Sequence, residues 1–196
     1  MLELQSFIDR FDLPGNIVLL EGKRDVAEAD KPKLIALGKL LAEKTRFMMF
    51  RSGNAPGADA FFSEGVASID AARLQVITPY EGHRLKQNLA GYTMALDQSN
   101  MVADSELVYA AKNNPATSRL VDEFVAGKKN RNTIKAAYIL RDTAKELGYG
   151  EWGPATAGIF YDDLSNPESG GTGHTIALCR QYKIPVFNQL VWFDWY

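Results

Sequence analysis

Residues 51–59, Arg-Ser-Gly-Asn-Ala-Pro-Gly-Ala-Asp, decide the fold, because they join an apolar run to a stretch with helical spacing. A second segment, residues 168–174, reads Glu-Ser-Gly-Gly-Thr-Gly-His and also follows an apolar run. A strand-to-helix junction of this kind directs backbone N–H groups and a helix N-terminus outward, which favours an anion such as phosphate. Two such junctions predict a site for a nucleotide or a related phosphorylated ligand.

Short apolar runs alternate with helix-like stretches along the chain. The runs at residues 16–21, 46–50, 73–78 and 155–161 have the composition of buried parallel strands, and a fifth begins at residue 185. Helices are predicted between and after them, including residues 85–99, 115–125, 132–147 and 175–182, while residues 104–111 fit either a strand or a helix. This alternation predicts an α/β, Rossmann-like three-layer sandwich with a mostly parallel central sheet of about five or more strands. Ligands bind such sheets outside the carboxyl ends of the strands, where both glycine segments lie.

The composition favours a single domain covering residues 1–196. The chain has 46% hydrophobic residues and a formal net charge of -2, so its acidic balance disfavours nucleic acid as a partner. It contains no apolar run long enough to span a bilayer, and we expect no membrane partner. The single cysteine, Cys179, cannot form an internal disulfide, and a cytoplasmic location is expected.

Residues 51–65 carry a resemblance to a known family. The run RSGNAPGADAFF with Gly65 after it resembles the R-S-G-x-A-x-G-A-D-x-x-F-x-x-G pattern of the SLOG superfamily, which includes the Rossmann domain of DNA-processing protein A and the LOG phosphoribohydrolases. Residues 170–173 with 184–188 are similar to the G-G-T-G and I-P-V-F-N ending of small phage and bacterial members. Residues 22–25 are similar to the family's G-S-R-D loop, with lysine in place of serine. The resemblance covers about residues 16–188.

The resemblance implies a Rossmann-like fold that binds nucleotides or nucleotide-derived ligands. It also implies an enzymatic alternative, because LOG enzymes resemble P-G-G-x-G-T-x-x-E, with the glutamate serving catalysis. In this chain Ser169 stands at the proline position, His174 at the threonine position and Ala177 at the glutamate position. That departure puts hydrolase activity in doubt more than it does nucleotide binding.

The glycine segments and the loop after the first strand supply the predicted ligand-binding residues. Lysine and arginine there would complement a phosphate, Asp59 would cap a helix or contact a ribose, and His174 would donate to phosphate or lie on the surface without a role. Each glycine has the alternative role of permitting a tight turn. The set is Gly22, Lys23, Arg24, Arg51, Ser52, Gly53, Gly57, Ala58, Asp59, Gly170, Gly171, Thr172, Gly173 and His174.

Three functions follow from these residues. The first is binding of a nucleotide or nucleotide derivative, as in a sensor. The second is hydrolysis of an N-glycosidic bond in a nucleoside monophosphate, with Asp59, Glu64 or the Asp162-Asp163 pair replacing the missing glutamate. The third, which the acidic composition disfavours, is a DNA-handling accessory role. No catalytic residue is assigned.

Two further expectations concern a cofactor and a second subunit. No metal site is predicted, although Mg²⁺ could accompany a bound nucleotide at the acidic residues 162–168. The aromatic residues 191–196 are expected to be buried, either on their own domain or in a homo-oligomer contact, which we expect more than the alternative.

Overall fold

A computed structural model describes residues 2–196, without the side chains of residues 98, 99 and 116. Over this part of the chain, six strands form one parallel sheet in the order β4-β3-β2-β1-β5-β6. The confirmed fold class is therefore the Rossmann-like α/β sandwich that the sequence predicts. The strands are β1 Ile17–Gly22, β2 Met49–Ser52, β3 Leu74–Thr78, β4 Tyr92–Ala95, β5 Ala157–Tyr161 and β6 Val186–Asn188.

Helices cover both faces of the sheet. They are α1 Leu4–Phe11, α2 Lys31–Lys44, α3 Ala58–Asp70, α4 Gln98–Ala103, α5 Ser105–Lys112, α6 Pro115–Val125, α7 Arg131–Leu147, α8 Gly170–Gln181 and α9 Gln189–Trp192. Local sequence sets several of their ends. Pro32 lies in the first turn of α2, and the Asn130 side chain accepts hydrogen bonds from the backbone of Asn132 and Thr133 at the start of α7.

The two faces of the sheet differ in polarity. One face carries Val18, Phe50 and Leu74 in register, and these pack in a core cluster with residues of α2 and α3. The opposite face carries Leu19, Arg51 and Gln75 in register, beneath α7. Residues whose side chains alternate along a strand lie on opposite faces, so the polar set is confined to the α7 side.

Residues 85–99 do not form the predicted helix. They contain a short 3₁₀ turn at Leu85–Gln87 and the edge strand β4, which pairs with β3. The strand is mostly exposed, so it lacks the alternation of buried and exposed residues that would have revealed it. The ambiguous residues 104–111 lie in helix α5, which Asp104 caps by accepting a hydrogen bond from Leu107 N.

The aromatic residues at the carboxyl terminus pack on their own chain. Trp192 and Trp195 belong to the core cluster on the α2 and α3 face. The Trp192 indole donates to Phe160 O at 3.0 Å, and the Trp195 indole donates to Leu2 O at 2.8 Å. Burial of the two tryptophans therefore needs no second subunit. Tyr196 is 58% exposed, contrary to the expectation for this segment, and the homo-oligomer stays a prediction.

None of the helices in residues 2–196 is long and apolar enough to cross a membrane.

Candidate functional site

The carboxyl edge of the sheet brings the predicted site residues to one end of the fold. The loops after β1, β2 and β5 all leave this edge, and β1 lies between β2 and β5. Lys23 and Arg24 follow β1, Gly53 follows β2, and residues 162–169 connect β5 to α8. The two glycine segments thus lie on either side of β1 at the same end of the sheet, as their shared site requires.

The first glycine segment is closed by its own aspartate. Asp59 lies in the first turn of α3, and its Oδ2 accepts hydrogen bonds from Gly53 N at 3.1 Å and Ala55 N at 3.3 Å. The side chain is buried. Since a carboxylate already occupies these backbone N–H groups, this part of the segment does not offer them to a ligand phosphate.

Gly57 serves the packing of this segment. Its φ is +89°, and a Cβ built there would lie 2.2 Å from Arg24 O. The next residue, Ala58, donates its backbone N–H to Lys23 O at 3.2 Å. The loops after β1 and β2 are therefore held together by main-chain contact, which only glycine permits.

Asn54 ties the first segment to the loop after β3. Its φ is +54°, a left-handed conformation that asparagine tolerates better than most residues. Its Nδ2 donates to Arg84 O at 3.3 Å and lies 3.5 Å from His83 O. The loops after β1, β2 and β3 thus form one connected surface at the carboxyl edge.

An arginine–aromatic cluster lies on this surface. Its rings are Tyr80, His83 and Tyr138, with centroids 5.1 Å apart for Tyr80–His83 and 5.7 Å apart for His83–Tyr138. Its cations are Arg24, Arg84 and Arg141, and the Arg141 guanidinium lies 5.3 Å from the centre of the Tyr138 ring. We refer to these six residues as the arginine–aromatic cluster.

Burial and the positive charges of this cluster shift the pKa values of His83 and Tyr138. Burial lowers the pKa of His83, and the charges of Arg141, Arg84 and Arg24 lower it further, so the imidazole is neutral at pH 7. Burial, together with a hydrogen bond to Tyr80, raises the pKa of Tyr138. Sequence reasoning identified only Arg24, because the other members come from a loop and a helix with no glycine pattern.

Two of the three arginines have no anionic partner. Arg141 is buried and makes a salt bridge to Asp142 at 2.7 Å, and it donates to Gly53 O at 2.8 Å. Within residues 2–196, neither Arg24 nor Arg84 makes a salt bridge, and Arg84 Nε is buried without a hydrogen-bond partner. Unpaired cations beside aromatic rings are suited to an anionic ligand.

The second glycine segment forms the first turn of α8 and is open at Gly170 and Gly171, whereas Gly173 is buried and a Cβ there would lie 1.7 Å from Glu168 O. The helix begins at Gly170, whereas the sequence predicted a loop here and a helix from residue 175. A Cβ built on Gly170 or Gly171 would meet no atom within 4 Å, and the Ser169 side chain makes no capping hydrogen bond. The N-terminus of this 12-residue helix therefore faces solvent with no side-chain cap.

His174 lies one turn into α8, between this glycine segment and α7. Its Nε2 is buried and has no hydrogen-bond partner among the described residues. Burial lowers the pKa of His174, and Lys145 lowers it while Asp142 raises it. The imidazole is therefore neutral and could act as a hydrogen-bond donor or acceptor.

A buried charged layer lies under the glycine segments on the α7 face. Lys145 Nζ lies 2.6 Å from Glu21 Oε1 and 3.0 Å from an Asp142 oxygen. Burial raises the pKa of Glu21 to about 7, although the charge of Lys145 opposes this. A Cβ on Gly53 would lie 3.2 Å from Lys145 Nζ, so the layer directly supports the first segment.

Glu146 is the one fully buried carboxyl in this layer whose two oxygens both lack a hydrogen-bond partner, counted over the described residues. Burial raises its pKa well above the usual value, and the charge of Glu21 raises it further. Burial therefore favours the neutral, protonated form of this side chain, because an isolated carboxylate would be strongly disfavoured there.

Arg51 is held in the interior by the fold. Its guanidinium donates to Lys145 O and Gly153 O, each at 2.9 Å, and to Gln75 Oε1 at 2.9–3.0 Å. The residue is 0% exposed. These contacts use its donors within the protein, so we leave Arg51 out of the proposed site. The neighbouring Ser52 is likewise buried at the end of β2.

The remaining acidic candidates have structural partners. Asp162 is buried, and its carboxylate accepts from Asp163 N and Glu168 N. Lys23 lies 3.7 Å from Asp163 in a half-exposed ion pair. Among residues 2–196, no group of three or more His, Cys, Asp or Glu side chains has the arrangement of a metal site.

No protein-family model and no curated protein matches the chain. A solved structure does match: DNA processing protein A from Helicobacter pylori, described for its single-stranded DNA binding mode, with a TM-score of 0.47 and 16% sequence identity. The match covers 89% of this chain and 65% of that chain, so this chain spans just under two thirds of its length.

This match corrects one expectation. The acidic composition predicts that nucleic acid is not a partner, and this prediction is wrong as a general rule for such chains, because the matched protein is described as binding single-stranded DNA. Net charge is therefore not a ground for excluding nucleic acid here. The similarity is too distant to assign that activity to this chain.

Proposed function

We propose that the chain binds a nucleotide or nucleotide-derived phosphorylated ligand at the carboxyl ends of the strands, as a sensor or carrier. The observation that carries the proposal is that Arg24 and Arg84 have no anionic partner in residues 2–196 and lie at the edge where α8 begins with an open glycine turn. Unpaired guanidinium groups and a helix N-terminus both favour phosphate. The resemblance to SLOG proteins supports the same ligand class.

The open start of α8 is the proposed phosphate position. Gly170 and Gly171 leave their backbone accessible, and the neutral His174 lies beside them. The first glycine segment has a different role in this proposal, because the Asp59 carboxylate already accepts hydrogen bonds from its backbone N–H groups. This segment forms the surface between the start of α8 and the arginine–aromatic cluster.

The hydrolase alternative needs a carboxylate that can reach a sugar. Asp59 and Asp162 accept backbone hydrogen bonds, and Glu21 is buried against Lys145. Of the earlier candidates, Glu64 is exposed on α3 and Asp163 is half-exposed. Glu168 precedes the open turn, but its carboxylate is paired with Arg180. Among the carboxylates named here, within residues 2–196, none is held free beside the turn as a general base, so we prefer binding without hydrolysis.

Calorimetric titration with AMP, GMP, CMP and UMP tests the proposal. We expect at least one of them to bind, and Gly171→Val to abolish that binding, because a branched side chain would cover the backbone N–H groups. Gly153→Val is the matched control, since Gly153 is also open and lies before β5, away from the carboxyl edge. Binding that is lost equally in both variants, or that survives Gly171→Val, would contradict the proposal.

Incubation with the nucleotide that binds separates the two functions. Release of the free base, followed by chromatography, would show hydrolysis and replace the binding proposal by the enzymatic one. We expect the nucleotide to be recovered intact.

A further inference from the structure

The arginine–aromatic cluster contains features that the proposed phosphate position on α8 does not use. Tyr80 is 47% exposed although its ring packs edge-on against His83. Its neighbour Tyr138 is half-buried and hydrogen-bonds to it. A large aromatic ring held in place by its neighbours and open to solvent on one side provides a platform on which a planar base can stack.

The cations of the cluster adjoin this platform. Arg84 is the residue next to His83, and its backbone has a φ of +48°. Its Nε is buried without a hydrogen-bond partner. Such a conformation costs energy in a residue other than glycine, and a buried unpaired donor adds to that cost. An anionic ligand beside Arg84 would satisfy this donor.

We propose that the cluster is a nucleobase-and-phosphate subsite, in which a base stacks on Tyr80 while Arg24 and Arg84 contact the same phosphate of the free nucleotide that lies at the start of α8. This proposal rests on the proposed function and assigns the part of the site that recognises the base. A base and phosphate of single-stranded DNA have the same chemistry, so the test compares both sources.

Proton uptake follows from the charges around His83. The groups that face it are Arg24, Arg84 and Arg141, with Tyr80 and Tyr138 on its two sides. The three positive charges oppose protonation of the imidazole. A bound phosphate offsets them, so the proton affinity of His83 rises on binding. By reciprocity, the dianionic nucleotide then binds more tightly as the pH falls toward the second pKa of its phosphate, about 6, below which the loss of phosphate charge opposes this trend.

Variants of the platform test the stacking. We expect Tyr80→Ala to weaken nucleotide binding on the order of ten-fold, as for other base–aromatic contacts, and Tyr80→Phe to retain it. Ribose 5-phosphate, which has no base, should bind equally to the parent and to Tyr80→Ala. Tyr109→Ala is the matched control, because Tyr109 is an exposed tyrosine on α5 outside the cluster.

Variants of the cations test the phosphate contact. Arg84→Gln should weaken the nucleotide on the order of ten-fold or more and leave the unphosphorylated nucleoside unchanged. Arg46→Gln is the control, since Arg46 is exposed before β2 at the opposite edge of the sheet. Thermal melting of each variant separates loss of the contact from loss of the fold.

Titration in two buffers of different ionisation enthalpy measures the protons exchanged on binding. We expect net uptake in the parent and less uptake in His83→Gln. Nucleotide binding that Gly171→Val abolishes but that Tyr80→Ala, Arg84→Gln and His83→Gln leave unchanged would overturn this inference while the proposed function stands.

Titrations with oligothymidylate and with mononucleotides distinguish the two sources of the ligand, which are single-stranded DNA and the free nucleotide. If the oligonucleotide binds with the same sensitivity to Arg84→Gln and no mononucleotide binds, the free nucleotide is the wrong occupant. If neither binds the parent protein, the proposed function fails with the inference.

Discussion

The two glycine segments have similar sequence patterns, since each follows an apolar run and precedes a helix, but their surroundings differ in the folded protein. The segment after β2 is closed, because Asp59 accepts from its backbone and Gly57 packs against the backbone of Arg24. The segment after β5 is the uncapped first turn of α8, and no atom approaches Gly170 or Gly171 where a Cβ would be. A glycine pattern therefore indicates either close packing or an open backbone, and only the neighbours decide between these roles.

The largest expected effect concerns the charged layer under the closed segment. Replacing Lys145 by Met removes the cationic partner of Glu21 and of Asp142, so the buried Glu21 carboxyl, whose pKa is already raised to about 7, must take up a proton or lie without a counter-charge. We expect the free energy of unfolding to fall by about 3–5 kcal/mol. Urea denaturation measures it, with Lys39→Met as the exposed control on α2. A loss no larger than that of the control would mean that Lys145 does not support this segment.

The next effect distinguishes the glycines themselves. Gly57→Ala places a methyl group against Arg24 O at a positive φ, and we expect a loss of about 2–4 kcal/mol from strain and overpacking. The corresponding change in the open segment is Gly171→Ala, which should be nearly neutral. Equal losses of stability in the two variants would remove the distinction between a closed and an open segment.

Asp59→Ala should cost about 1–3 kcal/mol, because Gly53 N and Ala55 N lose their acceptor in a buried place. The N–H groups of Gly53 and Ala55 should then be free to donate hydrogen bonds to inorganic phosphate. The expected result is a larger rise in melting temperature with added phosphate in Asp59→Ala than in the parent. An equal rise in the two proteins would argue that the Asp59 carboxylate does not occupy a phosphate-binding position.

A smaller effect is a change in pH dependence. The pKa of Glu146 is higher in the folded than in the unfolded chain, so the unfolded state loses this proton first as the pH rises. The stability that the proton provides is fully present below the ordinary glutamate pKa. It is lost as the pH rises through the pKa that Glu146 has in the folded protein. Glu146→Gln, which keeps a neutral side chain, should lose less stability than the parent as the pH rises above the ordinary glutamate pKa. Glu64→Gln, on the exposed side of α3, should follow the parent.

The smallest expected effect on stability is that of Gly171→Val. With open space around the site, we expect a change within about 0.5 kcal/mol, together with the loss of nucleotide binding proposed above. Thermal melting and titration of the same sample check both. A marked loss of stability would show that this glycine, like Gly57, serves packing.

Much of the architecture could be predicted from local pattern. Four apolar runs correspond to β1, β2, β3 and β5, and the helices at Pro115–Val125 and Arg131–Leu147 match their predicted spans closely. The edge strand β4 was missed because its main-chain pairing leaves no periodic signal. The start of α8 was placed too late because glycines resemble a loop in sequence, although Gly170 and Gly171 occupy helical positions.

The candidate site was only partly predictable. Arg24 was identified beside a glycine loop, but Tyr80, His83, Arg84 and Tyr138 were not, since they come from a loop and a helix that meet only in the fold. Arg51 was predicted to bind ligand from its position at the end of an apolar run. The extension of β2 to Ser52 instead turns it toward α7, whose backbone accepts its hydrogen bonds.

The sequence by itself determined the parallel α/β sheet and the edge at which its glycine segments lie, because hydrophobic periodicity and turn chemistry act over a few neighbouring residues. The tertiary structure alone decided which glycines are open, which arginines of the cluster lack an anionic partner and at which buried carboxyl the neutral form is favoured. Those properties depend on burial and on charges that come from distant parts of the chain, such as Lys145 beside Glu21.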